Sequence, residues 1–594
     1  MDNGFVSIMK KLDNMKKIYF AVALAMLPVA SCDFLEPEAD NTRESEILDD
    51  PAYFCGPLNS VYNNLPSLFD VTMDVLTDNA VVRNFNGDYY RASIGGLAPN
   101  NNPLDTWTSC YSNIRMLNIF LNRMVLDDSK PYRTPIRFFA LDDEEDYVSN
   151  MNMFKRLKGE AFALRAYWYL VLVRDFAGPG PDGTMLGVPL VGNAVLDQSS
   201  DLNIPRATLA ECIQAISDDC DSAVVRYGLP DLYTGTKDVV YNQTMSPHMS
   251  GAAAKAIKAK ALLLAASPAY NRDSDPGKWQ AAAEAAAAAI NAAGGINTAF
   301  FTREQYYFTN INNTSITQNN VIMKGSWVTG NKALENDNYP AALYGDALVN
   351  ISQNLVDAFT DSNGYPIAES SIYDPAKPYE NRDPRFAEFV GYDGGKIGSY
   401  TIDISGAESY SPLNKGSRSG YYLKKTLRTN QVVCGPSNKV QGTPRACIIF
   451  GLPELYLMYA EAANEAWGVA GDPESFGFTA ASALKRILTR DGTNGSKYLD
   501  NVIGTDSGKF REYVRLQRRI ELCFEGKYWY DLRRWYAGDS DWESKFNVAV
   551  YGVRAGESGY EKVELEKRVY RSAYPPIPYS EVYNAGLVQN EGWN

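Results

Sequence analysis

The sequence predicts a mainly α-helical protein with one large irregular region near its middle. Long segments place apolar residues at three- and four-residue steps, which is the spacing of an amphipathic helix. Two further segments are rich in alanine, a strong helix former. Between residues 295 and 445 the composition shifts to Asn, Gly, Ser, Tyr and Pro. In that region Ile351 to Phe359 is the one stretch expected to form a substantial helix.

The N-terminus predicts a secreted protein. Residues 1–31 have the pattern of a signal peptide, because two lysines after Met15 precede a short apolar run that ends in small residues. The run is shorter than the roughly 20 residues that a membrane-spanning helix needs. Met15 is a more natural start for such a segment than Met1.

Cys32 is the expected lipidation site. It ends the segment Val29-Ala30-Ser31-Cys32, which resembles the processing site of bacterial lipoproteins, where the cysteine thiol accepts the lipid. Residues 32–50 are then an acidic tether that anchors the protein to a membrane without spanning it. The seven other cysteines lack CxxC spacing, which argues against a disulfide framework and against a metal site.

Charge and composition exclude several classes of function. The chain has 57 Lys and Arg against 71 Asp and Glu, a formal net charge of −14, which disfavours binding to nucleic acids. Its single histidine, His248, precludes zinc sites that need two imidazoles. The sequence contains no phosphate-binding glycine loop and no metalloprotease or hydrolase motif. We therefore expect no cofactor, no metal and no enzymatic activity.

Residues 51–294 form the predicted N-terminal helical part. Residues 105–126 and 153–176 carry apolar side chains at helical spacing, and the second segment ends at a Gly-Pro stop. Residues 207–226 begin at Thr208, followed three residues later by a glutamate, which is the signature of a capping box.

The alanine-rich segments 251–270 and 276–293 predict a helical hairpin. Their small side chains allow two helices to approach closely, and the pair is TPR-like, although the repeat period along the chain is loose. Residues 295–445 follow as a loop-rich insert that we expect to bind the ligand, since function usually lies in loops held by a rigid scaffold. Residues 446–594 form the C-terminal helical part, with helices predicted over 452–467, 476–490 and 508–537.

Two clusters of charged residues have a structural rather than a catalytic interpretation. Glu521 and Glu525 share a helical face, as the paired carboxylates of a glycoside hydrolase would. Arginines and a lysine flank them at helical spacing, so we predict a packed ion-pair network that keeps the carboxylates ionised. The run Arg382-Asp383-Pro384-Arg385 likewise predicts a turn clamped by arginine–carboxylate bonds.

Aromatic residues in loops are candidates for a ligand platform. The chain has 39 Tyr, and clusters lie around residues 85–91 and between Phe300 and Tyr344. Ring faces stack on the C–H faces of sugars while nearby Asn, Asp and Arg bond the hydroxyls, and the same mixture suits peptides. The alternative interpretation of any one ring is that it belongs to the core beneath a long loop.

Seven segments, in order along the chain, together resemble the SusD/RagB family of outer-membrane lipoproteins. One departure is Gln517, where the family usually has an acidic residue before paired arginines. The segments are the lipidation motif with Asp33 to Pro37, Trp107 to Asn118, Arg165 to Leu190, Ala259 to Trp279, Arg382 to Phe386, Arg518 to Trp535 and Pro576 to Trp593.

The resemblance implies a SusD-like, TPR-containing scaffold with a large irregular lobe. It implies a lipoprotein that faces the cell exterior, captures an oligosaccharide or polysaccharide, and delivers it to a SusC-like TonB-dependent transporter. The loop ahead of Trp107 and the region from Trp327 to Tyr344 correspond to the family's ligand-contacting loops. The candidate ligand-binding residues are Asn86, Asp88, Tyr89, Tyr90, Trp107, Trp327, Tyr339 and Tyr344.

Three alternatives remain open from the sequence. A peptide-capturing relative of RagB would use the same scaffold with a different ligand. A glycoside hydrolase would use two carboxylates and need no histidine. A pure TPR interaction scaffold would bind the transporter and no small ligand.

Overall fold

Helices dominate the part of the chain that the computed structural model describes. The predicted signal peptide, Cys32 and the tether up to residue 48 lie outside that part. Contacts divide the chain into one unit that ends at Gly56 and a second that starts at Pro57. The described residues are 49–139, 144–197, 199–200, 203–235, 239–241, 248–308, 319–405, 416–429, 443–490, 494–557 and 559–593.

The mainly α fold predicted from apolar periodicity is confirmed. The boundaries expected at residues 294 and 445 stay predictions. The helices are α1 Pro51–Phe54, α2 Gly56–Asn63, α3 Asp88–Ser93, α4 Trp107–Arg123, α5 Glu144–Phe176, α6 Leu209–Asp221, α7 Gly251–Ala266, α8 Pro276–Ala292, α9 Arg303–Phe308, α10 Ala333–Asn338, α11 Gln353–Ala358, α12 Pro384–Phe389, α13 Leu452–Trp467, α14 Ala480–Leu488, α15 Ser507–Glu521, α16 Tyr528–Tyr536, α17 Trp542–Phe546 and α18 Tyr579–Asn584.

Short antiparallel strand pairs connect the helical parts. Within the described ranges, β1 pairs with β5, β2 with β3, β4 with β10, β6 with β9, β7 with β8 and β11 with β12. Two-stranded ribbons are marginal on their own, so they depend on the helices they pack against. The strands are β1 Ala80–Val82, β2 Gly178–Pro179, β3 Met185–Leu186, β4 Val321–Asn331, β5 Val349–Ile351, β6 Val390–Gly391, β7 Lys396–Ile397, β8 Tyr400–Thr401, β9 Tyr422–Leu423, β10 Thr443–Gly451, β11 Ala549–Gly556 and β12 Gly559–Lys567.

Successive helices pack side by side. Helix α4 contacts α5, α5 contacts α6, and α7 contacts α8, which in turn contacts α13. Most alanines of α7 and α8 are buried, and their small side chains permit the close approach of the two helices. The capping box predicted at Thr208 forms, because its hydroxyl accepts from Glu211 N–H and the Glu211 carboxylate accepts from Thr208 N–H.

The helix predicted over 508–537 is two helices, α15 and α16, and the prediction of one continuous helix is wrong. Phe524 and Gly526 have φ angles of 60° and 68°, in the left-handed region through which an α-helix does not continue. The apolar periodicity persists across the break because the residues of the turn are themselves buried.

Buried ion pairs join α13, α15 and α16. Asp531 accepts hydrogen bonds from Arg518 at 3.0 and 3.1 Å and from Arg534 at 2.8 Å. Arg534 also donates to both carboxylate oxygens of Glu461. Burial raises the pKa of Asp531, but the two arginines outweigh it and hold this pKa well below its ordinary value. The carboxylate is therefore ionised and structural.

Lys324 of β4 is a buried charge without a partner. The side chain is 6% exposed, its Nζ has no hydrogen-bond partner within the described part of the chain, and burial lowers its pKa to about 7. The unfolded chain holds the same proton with a pKa of about 10. Protonation of Lys324 therefore lowers the free energy of unfolding as the pH falls from about 10 to about 7. Below about pH 7 the amine is protonated in both the folded and the unfolded chain, so the loss stays constant.

We expect Lys324→Met to raise the free energy of unfolding by roughly 2–4 kcal/mol at pH 7, since it removes the cost of the buried amine and keeps its apolar stem. The gain should shrink at pH 10. Thermal unfolding at both pH values measures this. The exposed Lys332 supplies the control variant Lys332→Met, for which no gain is expected. An equal gain for Lys324→Met at pH 7 and pH 10 would contradict the explanation.

Candidate functional site

The pairing of two strands that are distant in sequence brings two loops to one end of a small sheet. Val82 of β1 lies opposite Val349 of β5. The next residue, Arg83, donates its backbone N–H to the carbonyl oxygen of Leu348 at 2.9 Å. Residues 83–91 leave β1 at this end, and residues 336–348 enter β5 there. We call these two segments the loop face. It unites two of the clusters predicted to bind a ligand.

Phe85 is the exposed ring of the first loop. Its side chain is 47% exposed, and its ring centroid lies 5.2 Å from that of Tyr90. The guanidinium carbon of Arg418 lies 4.7 Å from the same centroid, and Arg418 is fixed by an ion pair with Glu566. The ring is therefore held in place while much of its surface faces solvent, as a stacking platform requires.

Tyr344 is the exposed ring of the second loop. It is 53% exposed and has a φ angle of 62°, in the left-handed region. A residue other than glycine costs roughly 1–2 kcal/mol in this conformation. Strained backbone of this kind concentrates at ligand sites, where the surrounding structure enforces it.

Polar residues lie in the same two loops as the rings. Asn86 and Asp88 are exposed in the first loop, and Asp88 forms an ion pair with Arg91. In the second loop, burial raises the pKa of Asp337, and the negative charge of Asp346 raises it further. Amides and carboxylates beside exposed rings supply the donors and acceptors that hydroxyl groups of a sugar would need.

The prediction that Tyr339 presents its ring to a ligand is wrong. Tyr339 is 0% exposed and belongs to the hydrophobic core, and its hydroxyl donates to the carbonyl oxygen of Arg428. A buried phenol needs such a partner for its polar tip. Tyr89 is half-buried for a similar reason, because its hydroxyl donates to the Asp70 carboxylate. Burial, followed by Asp70, raises the pKa of Tyr89.

Phe85 belongs to the aromatic cluster noted at residues 85–91 but is not among the eight candidate residues, and Asp337 and Asp346 are absent from both. Phe85 directly precedes Asn86-Gly87, a turn-forming pair, which is a local signal that it lies near the surface. Nothing in the sequence marked the two aspartates, because their proximity to the first loop arises from the pairing of β1 with β5.

Two predicted tryptophans lie outside the loop face. Trp107 begins α4 and is 6% exposed, with its ring packed edge-to-face against Phe176 at 5.1 Å and tilted against Tyr111 at 5.2 Å. It lines a separate cleft. The backbone of Trp327 lies in β4 opposite Ala446, and the position of its side chain lies outside what the structure describes.

Two family models match the chain. The model described as "SusD family" matches residues 301–593, and the model described as "Starch-binding associating with outer membrane" matches residues 33–263. Together the two matches cover most of the chain between residues 33 and 593. This chain belongs to the SusD/RagB family.

Solved structures of SusD-like proteins share the fold of this SusD/RagB protein. A SusD-like protein from Bacteroides fragilis is 22% identical, with 94% of this chain and 99% of that chain covered and a TM-score of 0.67. A SusD-like carbohydrate-binding protein from the same species is 20% identical, with 91% and 99% covered and a TM-score of 0.66. A laminarin-binding SusD-like protein is 18% identical, with 92% and 100% covered and a TM-score of 0.53. No functionally curated protein matches the chain.

Membership places the chain among carbohydrate-binding proteins that associate with the outer membrane. Among the described residues, no helix of this SusD/RagB protein has the length and apolar character needed to cross a membrane.

The carboxylates that could suggest a hydrolase are engaged in ion pairs. Glu521 is bonded to Arg490 at 2.6 Å and to Arg385 at 3.0 Å. Burial raises the pKa of Glu521, but these two arginines outweigh it and keep the pKa below its ordinary value. Arg385 also pairs with Asp383, so the predicted arginine–carboxylate clamp forms. Gln517 stands where the family usually has an acidic residue. Its side-chain oxygen still accepts a hydrogen bond from Arg385, at 2.5 Å.

The one histidine of the chain also lies away from the loop face. His248 Nδ1 is 3.2 Å from a carboxylate oxygen of Glu160, a fully buried residue that also accepts from the Tyr62 hydroxyl at 2.8 Å. The His248 ring packs edge-on against Tyr62 at 5.2 Å. These contacts fit the structural interpretation of a satisfied loop histidine.

The strain at Tyr344 predicts a difference between two variants of this SusD/RagB protein. Tyr344→Gly and Tyr344→Ala both remove the exposed ring, but only glycine adopts the left-handed conformation without a Cβ penalty. We expect Tyr344→Gly to be more stable than Tyr344→Ala by about 1 kcal/mol. Urea unfolding of both variants measures this. Equal stability of the two would show that the loop relaxes and that the φ angle imposes no strain.

Proposed function

We propose that this SusD/RagB protein is a cell-surface lipoprotein that captures an oligosaccharide or polysaccharide and delivers it to a SusC-like TonB-dependent transporter. The observation that carries the proposal is the loop face, which presents two exposed aromatic rings among amide and carboxylate groups. In a family of carbohydrate-binding proteins, this is the chemistry that stacks on a sugar and bonds its hydroxyls.

Charge narrows the class of glycan. The chain carries a formal net charge of −14, and the loop face contains three aspartates, Asp88, Asp337 and Asp346, against two arginines, Arg83 and Arg91, so it is also slightly acidic. Like charges repel, so sulfated or uronic-acid-rich glycans are disfavoured relative to neutral ones. One structural relative is a laminarin-binding SusD-like protein, so laminarin belongs among the polysaccharides to be tested.

Binding without catalysis is favoured by the environment of Glu521 and Asp531, two acidic residues of the arginine-rich segment in which the sequence suggested paired carboxylates. The Glu521 carboxylate is buried and shared between two arginines, and Asp531 is held in the same way. A general acid needs a raised pKa, whereas these groups have lowered ones. A peptide ligand in place of a glycan is the remaining alternative, since the scaffold does not fix the ligand.

Affinity gel electrophoresis of the chain from Asp33 onward tests glycan capture. Gels containing neutral polysaccharides, laminarin among them, should retard the protein, and gels containing acidic polysaccharides should not. Phe85→Ala and Tyr344→Ala should each weaken binding by roughly 0.5–1.5 kcal/mol, the contribution of a stacked ring beyond area burial.

Tyr583→Ala is the matched control for these variants. Tyr583 is 76% exposed but lies on α18, outside the loop face, so its removal should leave retardation unchanged. Equal retardation of all three variants would remove the loop face from the binding site. Uniform migration of the wild-type protein in every gel would shift the proposal to short oligosaccharides or peptides.

The membrane anchor and the transporter complex are tested together in cells. We expect the wild-type protein to fractionate with the outer membrane and to co-purify with a TonB-dependent transporter. Cys32→Ser should release the protein from the membrane fraction, because the lipid has no acceptor thiol, while glycan binding in vitro is retained. A Cys32→Ser protein that stays in the membrane fraction without its transporter would disprove anchoring through Cys32.

A further inference from the structure

Two adjacent residues of the first loop have the chemistry of a spontaneous modification site. Asn86 is followed by Gly87, and both belong to the loop face. In an Asn-Gly pair the glycine nitrogen can attack the side-chain carbonyl carbon of the asparagine, since no side chain on the glycine hinders its approach. Whether a folded protein permits the attack depends on how its structure holds the two groups.

The backbone does not require glycine at position 87. Gly87 has φ and ψ angles of −69° and 147°, in the extended region that any residue adopts. A Cβ placed on it would meet one atom within 4 Å, the carbonyl oxygen of Asn84 at 3.7 Å, which is an ordinary contact. Gly87 also precedes α3 without capping it, where a serine or an aspartate would stabilise the helix. What the missing side chain does provide is access to the Gly87 nitrogen.

Both reacting groups are weakly held. Asn86 is exposed, and within the described part of the chain its side-chain amide has no hydrogen-bond partner. The Gly87 N–H donates to the carbonyl oxygen of Asn84 at 3.5 Å, which is the outer limit of a hydrogen bond. Neither group must therefore give up a strong bond before the nitrogen reaches the amide carbon.

Asn363-Gly364 is another Asn-Gly pair of the chain, and there both groups are held. The side-chain oxygen of Asn363 accepts from Lys497 Nζ at 2.9 Å. The Gly364 N–H donates to the carbonyl oxygen of Asp361 at 3.0 Å. Gly364 has a φ angle of 86°, and an added Cβ would lie 1.9 Å from the carbonyl oxygen of Gly495. Conformation and space therefore explain this glycine.

The backbone of the asparagine is held alike in the two pairs, so it does not distinguish them. In each pair the asparagine N–H donates to a side-chain oxygen two residues earlier, at 2.9 Å for Asn86 and 2.8 Å for Asn363. The carbonyl oxygen of Asn86 accepts from Arg91 Nη1 at 2.6 Å, and that of Asn363 accepts from the Tyr498 N–H at 3.3 Å. The pairs differ in the side-chain amide and in the glycine N–H.

We propose that Asn86 deamidates spontaneously in the folded protein through attack by the Gly87 nitrogen, and that Asn363 is protected. The new bond joins the Gly87 nitrogen to Asn86 Cγ, and the amide nitrogen leaves as ammonia together with the proton of the Gly87 N–H. Water then opens the succinimide ring. Opening at the bond to Cγ gives aspartate, and opening at the bond to the backbone carbonyl carbon gives isoaspartate.

The reaction changes the loop face in two ways, and the effect on binding rests on the proposed function. The Asn86 amide, which can donate to a sugar hydroxyl, becomes a carboxylate that only accepts. Isoaspartate also adds one carbon to the backbone between Phe85 and Gly87, beside the exposed ring. Ligand capture is therefore weaker in the deamidated molecule, and the protein loses affinity as it ages.

Peptide mapping by mass spectrometry on the chain from Asp33 onward measures the reaction. The folded protein, and the same chain unfolded in guanidinium chloride, are incubated at mildly alkaline pH, and aspartate plus isoaspartate is followed at each asparagine. Asn86 should react in the folded protein within a factor of about three of its unfolded rate, and Asn363 at least about tenfold more slowly than its own, since bonds that must break add to the barrier. The rate at Asn86 should rise with pH, because the attacking nitrogen must lose its proton.

A glycine replacement tests the role of the Gly87 nitrogen. Gly87→Ala should slow the reaction at Asn86 at least about tenfold, because the added methyl group hinders the attack, while the extended backbone accepts alanine. Gly56→Ala is the matched control, since a Cβ there meets nothing within 4 Å, and it should leave the rate at Asn86 unchanged. Protection of Asn86 as strong as that of Asn363, or an unchanged rate in Gly87→Ala, would overturn the assignment.

Affinity gels measure the effect on binding and keep it separate from the glycan proposal. Relative to a gel without polysaccharide, aged wild-type protein should be retarded less by a neutral polysaccharide than fresh protein. Aged Gly87→Ala should be retarded as much as fresh Gly87→Ala. Full retardation of a deamidated sample would overturn the loss of affinity. Fresh wild-type protein that no gel retards would contradict the glycan proposal, while the masses still decide whether Asn86 deamidates.

Discussion

A set of buried or nearly buried charges constrains how the helices of this protein pack. Each ion loses its hydration on burial, and in this set opposite charges and hydrogen bonds offset that cost. Lys260 of α7 pairs with Glu454 of α13 at 2.9 Å, while Arg518 of α15 and Arg534 of α16 share Asp531. The four helices therefore have little freedom to slide past one another, since a shift would leave a buried charge without its partner.

This constraint extends to the base of the loop face. Arg519, which follows Arg518 on α15, donates to the side chain of Asn79 at 2.8 Å, immediately before β1. Asn79 in turn donates to Asp74, whose carboxylate accepts from the backbone of Phe524 in the turn between α15 and α16. The strand that carries the first loop is thus tied to the helices that contain the ion pairs. The rings at the loop tips are exposed, but the strands beneath them are rigid.

The helical scaffold could be predicted from the sequence because its signals are local. Apolar spacing gave the helices, and Thr208 with Glu211 gave a capping box that forms as expected. The turn at Phe524 could not be predicted, because a buried turn carries the same apolar residues as a buried helix. Its left-handed backbone is imposed by tertiary contacts such as the bond from its N–H to Asp74.

The candidate site could be predicted by region but not by residue. Tyr339 and Tyr344 are five positions apart in the same loop, yet one is fully buried and the other 53% exposed. Irregular segments have no periodicity that assigns residues to the core or to solvent. Composition therefore locates the aromatic cluster but does not say which of its rings are exposed. Tyr339 is buried by long-range contacts, such as its packing in the core and the bond from its hydroxyl to the carbonyl oxygen of Arg428, and these leave no local signal.

The geometry of the loop face also sets how tightly it can hold a ligand. Two exposed rings would contribute about 1–3 kcal/mol of binding free energy beyond area burial. The polar groups in the same loops would exchange hydrogen bonds with water for hydrogen bonds with the ligand, and the net gain from that exchange is modest. A ligand held in this way dissociates readily, because affinity differences between similar sites reside mainly in the dissociation rate. Rapid release is what the proposed transfer of the ligand to a transporter would require. A rigid base with few exposed contacts therefore suits capture followed by transfer better than it suits storage or catalysis.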